Sequence, residues 1–564
     1  MQVKGKYRVL IHDVLRIFYS GFLLNLFIEL LSKPNMGKAI SEIISHTHLF
    51  LLNWLVIVLF LSLSLFFKKK SFVCLLLVMI VALLGISNRM VMNFRNTPLS
   101  FNDLCILKLD FNFMQSYVSW SSILMMIGCT CLYLFILIIG WKNSEATKVH
   151  FKKSSTILGI LMFITFVSYD TTVSADVIYA SKGSEYGVIT SFIKSTIERG
   201  MDEPDDYFED TINDLILNTE DKQDKKTPNI IFVQLESFFD PNLLIGVEYC
   251  QNPIPNFTAL KEKYTNGMLD VAVLGGGTVN SEFEVLTGMN LDYLGNREYP
   301  YETLLKDQTV DSLAYNLKDK GYETYAIHNN TATFYDRDLV YPNLGFDHFI
   351  SSEYMEGTTK NPIGWIKDKH LTKEIINCLS DSDKSDFIFT ISMQGHGAFP
   401  SEKLDENTIK VTNSPYKQEL ENQIEYYVSQ LYEMDLFIVD LIEEVNQLNE
   451  DTIIVFYGDH LPPLQIEEED LNNHNLYQTE YVIYATYEIE PQDEPLETYQ
   501  LGAKVAQLAE MNMGIMATYH TLNREEFSYE KGIELLMYDM LYGKNYALNQ
   551  EVRIPSEMMM GIGG

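Results

Sequence analysis

Four residues far apart in the chain, Glu236, Thr278, Asp459 and His460, have the types from which a metal-assisted nucleophilic site is built. Two carboxylates and an imidazole make a net-negative set of oxygen and nitrogen donors that suits Zn²⁺, Mn²⁺ or Mg²⁺, and a hydroxyl can complete a tetrahedral shell. A cation held there would lower the pKa of the threonine hydroxyl and make its alkoxide available near neutral pH. Thr278 follows Gly275-Gly276-Gly277, which lets the backbone approach a ligand closely, and it precedes Asn280–Leu286, which reads as a helix. Amides at such a helix N-terminus favour a phosphate or sulfate group.

The elements that must bring these residues together can be read from the same stretch. From Asn229 onward, short β-branched and aromatic runs at Ile230–Leu235, Met268–Val273, Thr324–Ile327, Phe387–Met393 and Thr452–Tyr457 read as buried strands. Helical patterns lie between them, among them Val310–Lys320, closed by Gly321, and the long amphipathic Gln423–Leu448. Strands alternating with helices imply an α/β domain with a largely parallel central sheet, which binds ligands beyond the carboxyl ends of its strands. Those ends are polar: Glu236, His328, the Gln394-Gly395-His396 turn and Gly458-Asp459-His460 follow four of the strands, and the glycine run leading to Thr278 follows the fifth. A lone His or Asp after a strand is explained by a cap or a satisfied core residue. Five strands delivering such groups to one edge argue for a site.

The chain has 564 residues, too many for one compact domain, and 47% are hydrophobic against 21% charged, which excludes a disordered chain. Its net charge of −34 repels phosphate backbones and excludes sequence-independent nucleic-acid binding. Six cysteines, at positions 74, 105, 129, 131, 250 and 378, form no C-x-x-C pair and are too sparse for a disulfide framework. The charge is divided unevenly. Residues 1–172 carry 16 basic and 7 acidic residues, whereas the remainder carries 26 and 69. Apolar runs at Ile17–Leu31, Phe50–Phe67, Phe72–Met92, Ile123–Trp141 and Ile157–Val173 approach or reach the length of a membrane span, so a polytopic helical membrane domain of about five spans is expected over 1–173. Lys4, Lys6 and Arg8, then Lys68-Lys69-Lys70, then Lys142, Lys148, Lys152 and Lys153 all fall on one side of five spans, which places residues after about Val173 outside the cytoplasm. The first apolar run is followed by four more and lacks a clear small-residue cleavage site, so no cleaved signal peptide is expected. Residues 174–228 read as a juxtamembrane linker, within which Gly187–Ile193 fits either a helix along the membrane surface or one packed on the outer domain. Residues 229–564 form the expected extracytoplasmic domain.

The motifs resemble those of the lipoteichoic acid synthase family, membrane-anchored phosphoglycerol transferases with a sulfatase fold in the alkaline phosphatase superfamily. Leu235-Glu236-Ser237-Phe238 is similar to the segment with that family's metal-binding Glu. Gly277-Thr278-Val279-Asn280-Ser281-Glu282-Phe283 resembles the loop with its nucleophilic Thr, and Gly458-Asp459-His460-Leu461-Pro462 its Asp-His metal pair. His328-Asn329-Asn330 through Phe334-Tyr335-Asp336-Arg337-Asp338 resembles its phosphoglycerol-binding segment, with Tyr335 where the family usually has Trp. The resemblance implies that Glu236, Thr278, Asp459 and His460 hold one divalent metal, commonly Mn²⁺. It also implies that Thr278 is the nucleophile and that His328, Asn330, Tyr335, Arg337 and His396 line the substrate site. The implied reaction moves glycerol phosphate from phosphatidylglycerol through a threonine adduct to a glycolipid or glycan acceptor and releases diacylglycerol.

Rival readings are distinguishable. A sulfatase would carry a Cys or Ser within C/S-x-P-x-R at the nucleophile position, whereas Thr278 is followed by Val279-Asn280-Ser281. A phosphoethanolamine transferase also uses a Thr and a membrane anchor, but on a disulfide-rich outer domain, and Cys250 with Cys378 would supply at most one bridge here. A non-enzymatic binding or sensor module would be expected to have lost a nucleophile or ligand. The topology is tested by a reporter fused after Asp221, which is expected to be active only outside the cytoplasm; activity inside would mean a miscounted span.

Overall fold

The computed structural model describes residues 2–33, 36–95, 98–101, 120–176, 187–197, 200–217, 226–295, 298–382, 384–397 and 399–561. The expectations for Cys105 and for residues 177–186 and 218–225 of the linker fall outside them. The chain forms two compact units, one ending at Glu198 and one running from Arg199 to Gly564. The five described cysteines are free thiols, Cys250 and Cys378 included.

The first unit is helical. Among the described residues, four of its helices contain apolar segments long enough to cross a membrane, Ile11–Ser32, Thr47–Phe66, Lys70–Met92 and Phe151–Tyr169. The remaining expected span falls in the helix Trp120–Asn143. Thr47–Phe66 is the centre of the unit, with 56% of its apolar window buried against 17% for Lys70–Met92. Two polar side chains on this central segment bond across to neighbouring helices, as an apolar surround favours. Asn53 Oδ1 accepts from the Thr190 N–H at 2.8 Å and from its hydroxyl at 2.9 Å, and Trp54 Nε1 donates to Phe18 O at 3.1 Å. The helix Val188–Ile197 belongs to this unit: Val188 and Ile189 bury among Ile17, Leu24, Ile57 and Val58.

The second unit is built on a nine-stranded sheet. Its strands are β1 (Asn229–Leu235), β2 (Thr265–Asp270), β3 (Glu323–His328), β4 (His348–Ser351), β5 (Asp386–Ile391), β6 (Thr452–Gly458), β7 (Gln478–Ala485), β8 (Leu496–Glu497) and β9 (Met559–Met560), in the order β8-β2-β7-β6-β1-β5-β3-β4-β9. All pairings are parallel except those of β7 with β2 and β6. Because β7 opposes both neighbours, β2 runs in the same direction as β6 and ends at the same edge. β2 begins and ends three residues earlier than the sequence pattern predicts. Its pairing with β7 stops where Asp270 meets Gln478, so the apolar run beyond it becomes a buried loop.

Central β1 is buried throughout, and its alternation divides the core. Ile231, Val233 and Leu235 pack with Leu371 and Ile375 of the helix Lys369–Asp381 and with Ile424, Tyr427 and Leu431 of the helix Gln418–Leu448. Each such side chain contributes about 2 kcal/mol on burial. On the opposite face Phe232 meets Phe387 edge-on, and Gln234 donates to the carbonyl of Thr278 at 3.2 Å. Gln418–Leu448 starts five residues before its predicted boundary and ends at Asn449, in the left-handed conformation with φ +58°.

Two glycines exist for close backbone approach. A Cβ on Gly458 would lie 1.8 Å from the carbonyl oxygen of Phe238, and one on Gly395 would lie 2.1 Å from that of Glu236. The turn after β1 is thus wedged between the ends of β5 and β6. Gly458→Ala is expected to lower the stability of the sheet domain by about 3 kcal/mol in denaturant unfolding, through overpacking against backbone. Gly321→Ala, which meets open space at φ +89°, is expected to cost only about 1 kcal/mol. Equal effects would show that the Glu236–Phe238 turn yields.

Candidate active site

The register of the central strands decides what meets at their carboxyl ends. Leu235 pairs with Gly458, so the residues that follow, Glu236 and Asp459, are neighbours. Gln234 pairs with Ile391, which brings Ser392 alongside, and its hydroxyl oxygen accepts the Glu236 N–H at 2.9 Å. Ser237 adopts φ +56°, a conformation that costs a non-glycine residue about 1 kcal/mol or more. It is held there by three bonds. Its N–H donates to Asp459 Oδ1 at 2.8 Å, its hydroxyl to Glu236 Oε1 at 2.9 Å, and its carbonyl accepts the Tyr427 hydroxyl at 2.6 Å.

Thr278 opens the helix Thr278–Thr287, and Gly277 at φ +96° turns the chain into it. The buried Thr278 hydroxyl donates to Glu236 Oε2 at 3.0 Å. One turn on, the Ser281 hydroxyl donates to the carbonyl of Asp459 at 2.8 Å, so the helix start is bonded to the ends of β1 and β6 at once. His460 donates its Nδ1–H to the carbonyl of Leu461 at 2.9 Å, a tautomer assigned from that acceptor. Its Nε2 lone pair then lies 3.4 Å from Asp459 Oδ2 and 3.7 Å from Glu236 Oε1.

The donor atoms of Glu236, Asp459 and His460 lie within 4.8 Å of one another, all buried. Asp459 Oδ2 and His460 Nε2 have no hydrogen-bond partner. Burial first, and the facing Glu236 charge second, hold the Asp459 carboxyl well above the usual range, while the Ser237 amide and Thr278 hydroxyl pull the other way. Three lone-pair donors turned toward one buried spot fit a divalent cation, which would neutralise the pair of carboxylates.

Two further groups sit on elements tied to this cluster. His328 ends β3, pairs with Ile391, and donates Nδ1–H to the carbonyl of Ile391 at 3.0 Å. Its Nε2 is buried without a partner, and burial, followed by the charge of Arg337, keeps the imidazole neutral by holding its pKa well below the usual range. Asn330 is half-buried, with its Nδ2 3.7 Å from Met393 Sδ. His396 is half-buried, has Nδ1 2.6 Å from the carbonyl of Gly397, and meets the Trp365 ring edge-on at 5.1 Å.

Arg337 is fully buried and gripped by Glu282. Its Nε donates to Glu282 Oε2 at 3.2 Å, a second N–H bonds Oε1, and a third donates to the carbonyl of Phe334 at 3.0 Å. The hydroxyls of Tyr301 and Tyr341 donate to Glu282 Oε2 at 3.0 and 2.9 Å. Burial works against the Arg337 charge, but Glu282 outweighs it and raises the pKa above its ordinary value. The guanidinium lies over the ring of Tyr335 at 5.5 Å, and half-buried Tyr335 itself takes φ +59°. Glu282 stands four residues after Thr278 on the same helix, so this ion pair ties the threonine's helix to the Phe334–Val340 segment.

Direct contacts therefore join Glu236, Thr278, Asp459 and His460, and β3 and β5 bring His328 and the turn before His396 together. Sequence reasoning assigned no role to Ser237, Ser392, Glu282 or Tyr427. Ser237 and Glu282 sit inside the quoted motifs; Ser392 and Tyr427 join the site only through long-range packing.

The sulfatase family model matches residues 228–512, the stretch that holds most of the sheet and the cluster at its carboxyl edge: the chain belongs to the sulfatase family. Within it, the chain is homologous to the lipoteichoic acid synthase of Staphylococcus aureus, 24% identical over 358 residues, which is 59% of this chain and 54% of the relative. A putative cyclic beta-1,2-glucan modification protein of Rhizobium meliloti is 34% identical over 238 residues, 42% of this chain and 36% of the relative. The chain thus spans between about a third and about half of the curated relatives it matches. The fold is that of the Streptococcus pyogenes phosphoglycerol transferase GacH, solved in complex with sn-glycerol-1-phosphate, with a TM-score of 0.56 at 22% identity over 64% of this chain and 100% of that one.

Removing Glu282 would leave the Arg337 charge buried without its partner. Glu282→Ala is expected to destabilise the sheet domain by about 3–5 kcal/mol, read as a lowered denaturation midpoint, with Glu282→Gln intermediate. An unchanged midpoint would mean that Arg337 finds another anion.

Proposed function

We propose that the protein is a membrane-anchored phosphoglycerol transferase, with residues 1–173 as its membrane domain, 174–228 as a linker and 229–564 as an extracytoplasmic catalytic domain. The observation that carries this reading is the Thr278 hydroxyl at a helix N-terminus, hydrogen-bonded at 3.0 Å to Glu236 within the Glu236, Asp459 and His460 cluster. The homology to lipoteichoic acid synthase supports glycerol phosphate as the transferred group. The donor is phosphatidylglycerol and the acceptor a hydroxyl on a glycolipid-anchored chain or envelope glycan.

Glu236, Thr278, Asp459 and His460 would hold one divalent cation, Mn²⁺ by preference, which when bound lowers the pKa of the threonine hydroxyl and offsets phosphoryl charge. Thr278 Oγ1 attacks phosphorus as its proton passes to a neighbouring base, the bond from phosphorus to the diacylglycerol oxygen breaks, and that oxygen takes up a proton. A glycerophosphothreonine remains. The acceptor hydroxyl then attacks the same phosphorus and Thr278 leaves, restoring its hydroxyl. His328, whose Nε2 lone pair has no protein partner, and His396 are the imidazoles assigned to accept and return these protons. Arg337, kept charged and oriented by Glu282, with Tyr335 and Asn330, holds the glycerol phosphate group.

The test uses the full chain in detergent with Mn²⁺ and phosphatidylglycerol. Diacylglycerol release and a glycerophosphate mass increment on the Thr278 peptide are expected, and Thr278→Ala should lower turnover by about a thousandfold or more. Activity of that variant within tenfold of the parent would overturn the covalent mechanism. Preferential use of phosphatidylethanolamine would move the assignment to phosphoethanolamine transfer.

A further inference from the structure

Asp368 is fully buried at the start of the helix Lys369–Asp381, where an aspartate ordinarily caps the amides of its own helix. It makes no such cap. Its Oδ1 instead accepts three N–H groups from elsewhere: the Asn329 side chain at 2.8 Å, the Met393 backbone at 3.0 Å and the Gln394 backbone at 3.1 Å. Its own N–H donates to Gln394 Oε1 at 2.9 Å, and the Gln394 side chain continues to Gln430 at 3.0 Å on the long helix. Asn329 is the residue after His328. Met393 and Gln394 open the turn that leads to His396, whose N–H closes it on the carbonyl of Met393 at 3.1 Å.

We propose that Asp368 is a positioning residue that clamps the two histidine-bearing loops, 328–330 and 392–396, onto one carboxylate and thereby sets affinity for the phosphoryl ligand. The inference rests on the phosphoglycerol reading above. One oxygen accepting three donors from two loops fixes their relative placement in a way that a neutral amide would do more weakly, because charge-assisted bonds are about twice as strong. Burial pushes the carboxyl up to about 6, against the pull of those same donors, so the fold tolerates an unfavourable environment to keep a carboxylate where a helix cap alone would not need one. Asp368 bonds none of Glu236, Asp459 or His460 in this arrangement, so its effect on the ligand is separable from metal binding.

The experiment titrates the full chain in detergent by calorimetry, first with Mn²⁺ and then, Mn²⁺-loaded, with glycerol 1-phosphate. Asp368→Asn is expected to bind Mn²⁺ within about threefold of the parent and glycerol phosphate about tenfold or more weakly, the size of loss typical when a supporting hydrogen bond to a site is removed. Asn329→Ala removes one arm of the clamp and no charge. It is expected to show the same split with a smaller loss, and it carries the test if Asp368→Asn does not fold. Glycerol phosphate affinity within twofold of the parent in a folded variant would overturn the clamp, as would parallel loss of metal affinity, ligand affinity and melting temperature. A parent that binds Mn²⁺ but not glycerol phosphate would overturn the phosphoglycerol reading and this inference with it.

Discussion

Glu236 and Asp459 are two carboxylates buried side by side, and their mutual repulsion is the constraint around which the catalytic domain is arranged. The parallel pairing of β1 with β6 forces them together, since Leu235 and Gly458 share a register position. Hydrogen-bond donors are gathered around them. Ser237 supplies an amide to one and a hydroxyl to the other, Thr278 supplies a hydroxyl, and Ser392 fixes the backbone from which Glu236 projects. The glycines at 395 and 458 permit this crowding, because any side chain there would collide with the backbone of the same turn. Protein donors still leave Asp459 Oδ2 and the His460 Nε2 lone pair unmatched, and a divalent cation is the group whose charge and donor preference complete the set.

A second buried charge meets the opposite solution. Arg337 is neutralised within the protein by Glu282, and the hydroxyls of Tyr301 and Tyr341 both donate to Oε2 of that carboxylate. A fully paired ion of this kind adds little net stability against an apolar replacement, but it imposes geometry. Here it locks the Thr278 helix to the segment carrying Tyr335. Thr278 and the Phe334–Val340 segment are thus joined by one bonded network rather than being neighbours on independent loops.

The helical unit follows the same rule in an apolar setting. Its central helix carries Asn53, which would be costly in a bilayer if unmatched, and the start of the helix Val188–Ile197 supplies the amide and hydroxyl that match it. Gly187 allows that close approach, since an added Cβ would lie 2.1 Å from Asn53 Nδ2.

Much of this was legible along the chain. The membrane helices show as apolar runs because a bilayer selects composition over about 20 residues, a local property. Strands β1, β3, β5 and β6 show because strands buried on both faces are apolar runs bounded by polar residues, and Glu236, Thr278, Asp459 and His460, which the fold brings together, stood out by their donor types. Strands β4, β7, β8 and β9 were not. Two of them are two residues long and β4 only four, too short to show a pattern, and β7 opens on the polar Gln478-Thr479-Glu480, which masks the apolar Tyr481–Ala485 that follows. The helix Val188–Ile197 was ambiguous because an amphipathic segment of ten residues does not name the surface it buries against. Register, by contrast, is a tertiary quantity: it depends on how strands some 220 residues apart slide past one another, as Gln234 and Tyr457 do. Only the fold could make Asp368 a shared acceptor rather than a helix cap, or Glu282 the partner of Arg337, because those roles are defined by which distant donors reach the same oxygen.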